Sequence, residues 1–151
     1  MSQRQTKLQR CMAHAQVAAT GSHDAETQVG AVLVKSDSGS VIATGCNGFV
    51  RGAPDDKLPR HRPEKYKFIV HAEKNLLANC LYEGIGTRGC FMVTTMTPCR
   101  DCMRMMFQAG IKRVVSLQKY SDYNDIVTMP DIKVIESTSP EGYIELTYAN
   151  Y

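Results

Sequence analysis

The sequence predicts an α/β domain in which helices layer onto a mixed sheet. Three observations carry that expectation. Apolar residues recur at helical spacing near the start, two apolar runs separated by a turn follow, and the middle of the chain then alternates helical and strand-like segments. The 151 residues show no repeat, no low-complexity tract and no linker, so one domain over 1–151 is expected. A chain of this length hides ~70% of its surface on folding and can build a core without staples.

The elements follow in order. Residues 3–20 read as an amphipathic helix, with Leu8, Met12, Ala15 and Ala19 on one stripe and Gly21-Ser22 ending it. Residues 28–35 form a Val-rich strand. Ser36-Asp37-Ser38-Gly39 supplies turn chemistry, and 40–45 return as a second strand, so the pair reads as a hairpin. From 46 to 70 the chain is loop-like, with Gly48, Gly52, Pro54, Pro59 and Pro63. Loops that long in a small domain are often functional. A helix over about 72–82, a strand over 90–95, a helix over 100–109 and a strand over 112–117 come next. Helical crossovers join these strands, so the later strands are expected to be parallel. Short strands are placed at 132–135 and 143–148. The sequence leaves the role of 121–151 open between packing on the sheet, an oligomer contact and effector binding.

Composition narrows the class. With 43% hydrophobic and 22% charged residues the chain is ordinary for a soluble globular protein. No apolar run approaches the ~20 residues that span a bilayer. The opening MSQRQTKLQRCMAHAQ lacks the apolar stretch of an export signal, so a cytoplasmic location and no membrane partner are expected. Cysteines at 11, 46, 80, 90, 99 and 102 should then be reduced. Only Cys99 and Cys102 are close enough to act as a ligand pair, and the other four read as small buried hydrophobes. The net charge is +3, and the stretch 51–67 alone holds six Lys/Arg against three Asp/Glu. So weak an overall charge argues against a large nucleic-acid partner. The local basic loop suits a small phosphorylated substrate as well as it suits a solvated surface.

Chemistry concentrates in His71-Ala72-Glu73, Pro98-Cys99 and Cys102. Two thiolates separated by two residues can bind one zinc ion through a single turn of chain. His71 is the obvious third ligand, because an imidazole nitrogen suits zinc. Three protein ligands leave a fourth tetrahedral position open for water, which makes the site catalytic rather than structural. Zinc lowers the pKa of such a water to ~7, and Glu73, two residues from His71, can shuttle its protons. Both His71 and Cys99 sit where a helix begins, so two helix N-termini would converge on the ion. Taken singly these residues are bland. A lone histidine is more often a satisfied core or surface residue, a lone first-turn glutamate a helix acid, and a lone C-x-x-C a redox dithiol or half of a zinc ribbon. In combination, H-x-E with P-C-x-x-C is the known pattern of zinc nucleobase deaminases.

From about Ser22 to Tyr120 the sequence resembles the deoxycytidylate (dCMP) deaminase family of the cytidine deaminase superfamily. HAEKN, TPCRDC and FQAGIKRVV carry the resemblance, supported by SHDAETQVGAVLV, IATGCNGFVRG and KYKFIVHAEKN. It implies a three-layer cytidine deaminase-like fold, a mixed central sheet with helices on both faces. It implies hydrolysis of dCMP to dUMP and ammonia, which supplies dUMP for dTMP synthesis. By position it implies His71, Cys99 and Cys102 as holders of one zinc per chain, since the Cys/His-rich insertion of some phage members is missing. Glu73 is implied as the proton shuttle and Asn47 as the contact to base and sugar. Thr27 and Asn75 fall near the substrate, and Lys119 and Tyr120 near sugar and phosphate. Arg51, Lys57, Arg60, Arg62, Lys65, Lys67 and Lys119 are the candidate phosphate ligands, with Arg51 the foremost of the loop. Effectors dCTP and dTTP and a homo-oligomer, a hexamer, are implied too, although Cys46 replaces the tyrosine of the family's G-Y-N-G motif.

Other readings stay open. A dCTP or dual-specificity deaminase keeps the chemistry and changes the phosphate count. A tRNA adenosine deaminase needs a basic surface, whereas the tail SPEGYIELTYANY has two acids and no base. Free-nucleoside deaminases usually carry Cys where His71 stands, while guanine- and pterin-type deaminases share H-A-E. A non-enzymatic zinc module has no use for Glu73. A thioredoxin-like protein would carry its Cys pair after the first βαβ strand, not at residue 99.

Overall fold

In the computed structural model, residues 3–149 are described. Helix α1, Lys7–Ala19, starts later than its apolar stripe predicts because Thr6 and Gln9 set the boundary. Thr6 Oγ1 accepts from the Gln9 amide at 3.1 Å, and Gln9 Oε1 accepts from the Thr6 amide at 2.8 Å. This capping box satisfies two otherwise orphaned donors. Strands β1 (Gly30–Lys35) and β2 (Val41–Cys46) form the expected antiparallel hairpin, Gly30 opposite Cys46. The chain continues through a 3-10 turn (Glu64–Lys67), helix α2 (Ala72–Glu83), strand β3 (Cys90–Met96), helix α3 (Arg100–Gln108) and strand β4 (Arg113–Gln118). A short helix α4 (Tyr123–Val127) and strands β5 (Val134–Thr138) and β6 (Ile144–Tyr148) follow. The six strands make one sheet in the order β2-β1-β3-β4-β6-β5.

Among these pairings only β3 and β4 run parallel, joined across α3. Strand β6 pairs antiparallel with both β4 and β5, which corrects the expectation of parallel later strands. The reason lies in the link. Residues 139–143 close a tight turn, Ser139 N donating to Tyr143 O and Gly142 N to Ser139 O, each at 2.9 Å. So short a link reverses the chain, whereas a parallel return needs a dozen or more residues. The segment 121–149 thus completes the sheet. Helix α4 and the 3-10 turn were not expected, because a single turn leaves no periodicity to read.

Strand alternation builds the layers. Val32, Val34, Phe91, Val93 and Val115 pack with Cys11, Met12 and Ala15 of α1 on one face. Ala31, Leu33, Met92, Val114 and Leu146 pack with Leu76, Cys102, Met103, Met106 and Ile126 on the other. Neighbouring residues of one strand serve opposite cores because the strand period is two. The domain is therefore three-layered, with helices on both faces as the sequence predicts. Two glycines let the helices approach. A Cβ on Gly30 would lie 1.9 Å from Ala15 O, and one on Gly45 would lie 2.6 Å from Leu76 N. Helix α1 thus rests on the backbone of β1, and α2 on that of β2. Cys11, Cys80 and Cys90 are buried and Cys46 half-buried, all as free thiols. No helix among the described residues is long and apolar enough to cross a membrane.

Strand directions decide where a site can form. Since β3 and β4 are parallel and β1 opposes both β2 and β3, four ends share one edge of the sheet. These are the C-terminal ends of β2, β3 and β4 and the N-terminal end of β1.

Candidate active site

That edge brings the chemistry together. His71 is the N-cap of α2 and Cys99 the N-cap of α3, both in extended backbone. His71 Nδ1 lies 3.4 Å from Cys99 Sγ and 3.5 Å from Cys102 Sγ. The three ligand atoms fall within 4.8 Å of one another and could hold a metal ion. Ligands ~2.3 Å (sulfur) and ~2.0 Å (nitrogen) from a tetrahedral zinc stand ~3.5 Å apart, so the donor set fits that ion. Cys99 is held down to about 3, first by its hydrogen bond with Cys102 and then by His71, against burial. Cys102 is pushed up, first by that same bond and then by burial. His71 is raised, chiefly by its bond to Cys99. A thiolate already present beside an imidazole is what a divalent cation needs.

Glu73 sits in the first turn of α2 and is 4% exposed. Burial pushes its carboxyl above the usual carboxylate range, opposed by its own backbone N–H and by His71. A carboxyl raised toward neutrality is suited to take up and release protons. It lines a cleft with His71, Cys99, Pro98, Thr97 and Met96. The rest of the lining includes a wall from the 24–27 and 62–66 segments, with Asp24, Thr27, Arg62, Lys65 and Tyr66, together with Val29, Asn47 and Tyr120. The cleft, its open mouth included, encloses about 690 Å³. Thr97 ties the two parallel strands together there, its amide donating to Gln118 O at 2.9 Å and its hydroxyl accepting from Tyr120 N at 2.8 Å.

Of the residues the sequence singles out, Thr27, Asn47, Glu73, His71, Cys99 and Tyr120 line the cleft, and Cys102 lies beside His71. Asn47 is buried and its amide is spent on the protein. It accepts from Val29 N at 2.9 Å and donates to Thr27 O at 2.8 Å, which fixes the chain leading into β1. Three others stand elsewhere. Asn75 donates to Cys46 O at 2.8 Å, and Arg51 donates to Asn79 Oδ1 at 3.1 Å. Both line a second hollow on the far side of the 46–50 segment. Lys119 points to Glu136 at 3.3 Å and over the Tyr123 ring. Lys119 follows the end of β4 and, unlike Tyr120, is not among the residues lining the cleft.

Two further residues of the lining, Lys65 and Asp24, form a buried ion pair. Lys65, one of seven bases considered, is 2% exposed. Its ammonium sits 2.9 and 2.8 Å from the two Asp24 oxygens and 3.4 Å from Glu26 Oε1. Burial raises Asp24, but Lys65 and the Glu26 and Thr27 amides outweigh it and hold the carboxyl below its ordinary value. Asp24 itself carried no signal, since its neighbours read as an ordinary polar loop.

The sequence matches the cytidine and deoxycytidylate deaminase zinc-binding region over residues 4–118. The chain belongs to this family. It is 36% identical to the human deoxycytidylate deaminase over 121 residues, covering 76% of the chain and 66% of that relative. The chain thus spans about two-thirds of that relative's length. A dCMP deaminase of the cyanophage S-TIM5, solved in complex with dCMP and dUMP, superposes with a TM-score of 0.66 at 28% identity. That match covers 83% of the chain and 93% of the phage protein. A cytidine deaminase from Burkholderia pseudomallei shares the fold, with a TM-score of 0.54 at 21% identity over 82% and 96% of the two chains. Zinc is the metal of the family, and the His/Cys/Cys group fits one ion.

Proposed function

We propose that this chain deaminates dCMP hydrolytically, giving dUMP and ammonia. One observation carries the reading: the buried Glu73 carboxyl faces the same cleft as the nitrogen–sulfur–sulfur triangle of His71, Cys99 and Cys102. A structural zinc site would have no use for that acid. The 36% identity to a deoxycytidylate deaminase and the likeness to a phage dCMP deaminase support the choice of base and nucleotide.

In this reading His71, Cys99 and Cys102 hold one zinc, which supplies a Lewis acid that makes water nucleophilic near neutral pH. Glu73 takes the proton from water, passes one to N3 of cytosine and delivers one to the leaving amine. One such acid/base group contributes roughly 10²–10⁴-fold. Asn47 and Thr27 shape the wall against which the nucleotide lies, and Tyr120 closes it from the β4 side. We extend the proposal to one domain over 1–151, a cytoplasmic homo-oligomer, hexameric as the family resemblance implies, and dCTP and dTTP as effectors. Cys46, Arg51 and Asn75, which share the second hollow, are where an effector contact would be sought.

The test is ultraviolet-monitored turnover by zinc-loaded protein of dCMP, dCTP, deoxycytidine, guanine and a tRNA anticodon hairpin. Loss of the amino group from dCMP is the expected result. Turnover of dCTP alone would move the phosphate count, and silence on all five with zinc bound would favour a binding module. Glu73→Gln should retain zinc and lose at least ~10²-fold in kcat.

A further inference from the structure

We infer that Arg62 is the residue that distinguishes a nucleotide from a nucleoside, its guanidinium receiving the substrate's 5′-phosphate. This rests on the proposed deamination of dCMP and adds to it the group that selects the phosphate.

The argument begins by elimination among the seven basic candidates. Arg51 lies in the second hollow, and Lys119 lies against Glu136. Arg60 donates to His23 O at 3.1 Å and to Asp55 O at 3.0 Å. Lys57 and Lys67 are exposed and do not line the cleft. Among the described residues the cleft lining includes two cations, Lys65 and Arg62. Lys65 is enclosed and held by both oxygens of Asp24, so it has no face to offer a ligand. Arg62 remains, with its side chain 41% exposed.

The geometry at Arg62 then argues positively. Its Nε donates to Tyr66 Oη at 2.7 Å, Nη1 to Glu26 Oε2 at 3.1 Å and Nη2 to Thr27 Oγ1 at 3.0 Å. Its own amide donates to Glu26 Oε1 at 2.6 Å. These three side-chain bonds use three of the five N–H donors of a guanidinium. The Tyr120 hydroxyl is a further hydrogen-bond partner of the group, so a phosphate gripping the fork with two bonds would take over the Tyr120 contact. Glu26 is not part of the cleft lining, so it braces the guanidinium from outside the cleft. A planar fork already fixed by three partners loses little further freedom on binding. Guanidinium also matches phosphate oxygens in bidentate fashion, which an ammonium does not.

Four charges meet in this wall, Arg62 and Lys65 against Asp24 and Glu26, and they sum to zero. Long-range attraction is therefore weak, and recognition falls on direct contact. Removing that contact should act on the substrate that carries the phosphate.

The experiment compares kcat/KM for dCMP and for deoxycytidine in zinc-loaded wild type, Arg62→Gln and Arg62→Lys. In Arg62→Gln the dCMP-over-deoxycytidine ratio should fall ~10–100-fold, the loss expected for a charge-assisted contact. Arg62→Lys should recover part of the ratio, since charge stays and the fork goes. A ratio unchanged while both substrates slow equally would overturn the inference and leave Arg62 as a prop of the wall. Calorimetric titration of dCMP and of inorganic phosphate into the same proteins separates this inference from the activity. If wild type turns over nothing yet binds dCMP more tightly than Arg62→Gln, the phosphate assignment stands and the deaminase reading falls. Equal affinities in the two proteins, or no binding by either, would overturn it.

Discussion

Lys65→Met isolates the ion pair that holds the cleft wall. Methionine keeps an unbranched apolar stem in a site where Lys65 is 2% exposed, and it deletes the charge. Asp24, 4% exposed, then stays buried without its cation. It retains the amides of Glu26 at 2.8 Å and Thr27 at 3.1 Å and the weaker Asn47 contact at 3.4 Å. Breaking a buried pair from one side costs ~3–5 kcal/mol, and these remaining donors place the loss near ~3 kcal/mol. For a chain of this size ~2–4 °C accompanies each kcal/mol, so the melting temperature should fall by ~6–12 °C. Asp24→Asn/Lys65→Met removes both charges while an amide oxygen still accepts from the two backbone donors. The double variant should therefore regain much of the loss. Thermal and urea unfolding at pH 7 of the metal-loaded proteins measure the cycle. Strictly additive single effects, or a fall of under ~2 °C in Lys65→Met, would refute the claim that the pair is desolvated and coupled.

The remaining predictions test the metal, the packing and the acid limb. His71→Ala, Cys99→Ala and Cys102→Ala should each drop zinc content well below one per chain by atomic absorption, since each removes one of three ligands. Glu73→Gln, by contrast, should keep zinc and lose turnover, which assigns it to proton transfer. Gly30→Ala drives a methyl to 1.9 Å from Ala15 O and 2.5 Å from Ala19 N, both backbone atoms. Helix α1 must then lift from β1, at a cost of about 3 kcal/mol, read as a lower urea midpoint. Asp24 is held below its ordinary value, so its contribution is present above the unfolded pKa of ~3.9 and is lost as pH falls through the folded one. Asp24→Asn should accordingly flatten the acid limb of the stability–pH curve below about pH 4 and leave its neutral limb sloping as before.

The legible parts of the molecule are those written by local spacing. The stripe Met12, Ala15, Ala19 foretells α1, and the hairpin turn at 36–39 foretells the pairing of β1 with β2. The trio His71, Cys99 and Cys102 is legible because metal chemistry demands fixed residue types at short offsets. What escapes is set by contacts distant in sequence. Asp24 and Lys65 are 41 positions apart, and nothing about either residue alone reveals that they meet in the interior. A buried lysine inside a stretch with six cations looks like one more solvated charge. The direction of β6 also escapes, because the preceding strands were joined by helices and the change to a tight turn is visible only as Pro140-Glu141-Gly142.

This division has a chemical consequence. The candidate metal ligands and Glu73 sit at or beside the N-termini of α2 and α3, positions fixed by the sheet. On the proposed reading, selection of the nucleotide falls to the wall built from 24–27 and 62–66. There the charges cancel, one cation is sealed by Asp24, and the other is held at the cleft by Glu26, Thr27 and Tyr66. Sealing Lys65 leaves a single exposed fork at a defined place. A second free cation would bind phosphate in several poses, and cytosine would reach Glu73 in only some of them. If Arg62 receives the phosphate as proposed, the buried pair serves orientation as well as stability. Its disruption should raise KM for dCMP even at temperatures where the protein remains folded.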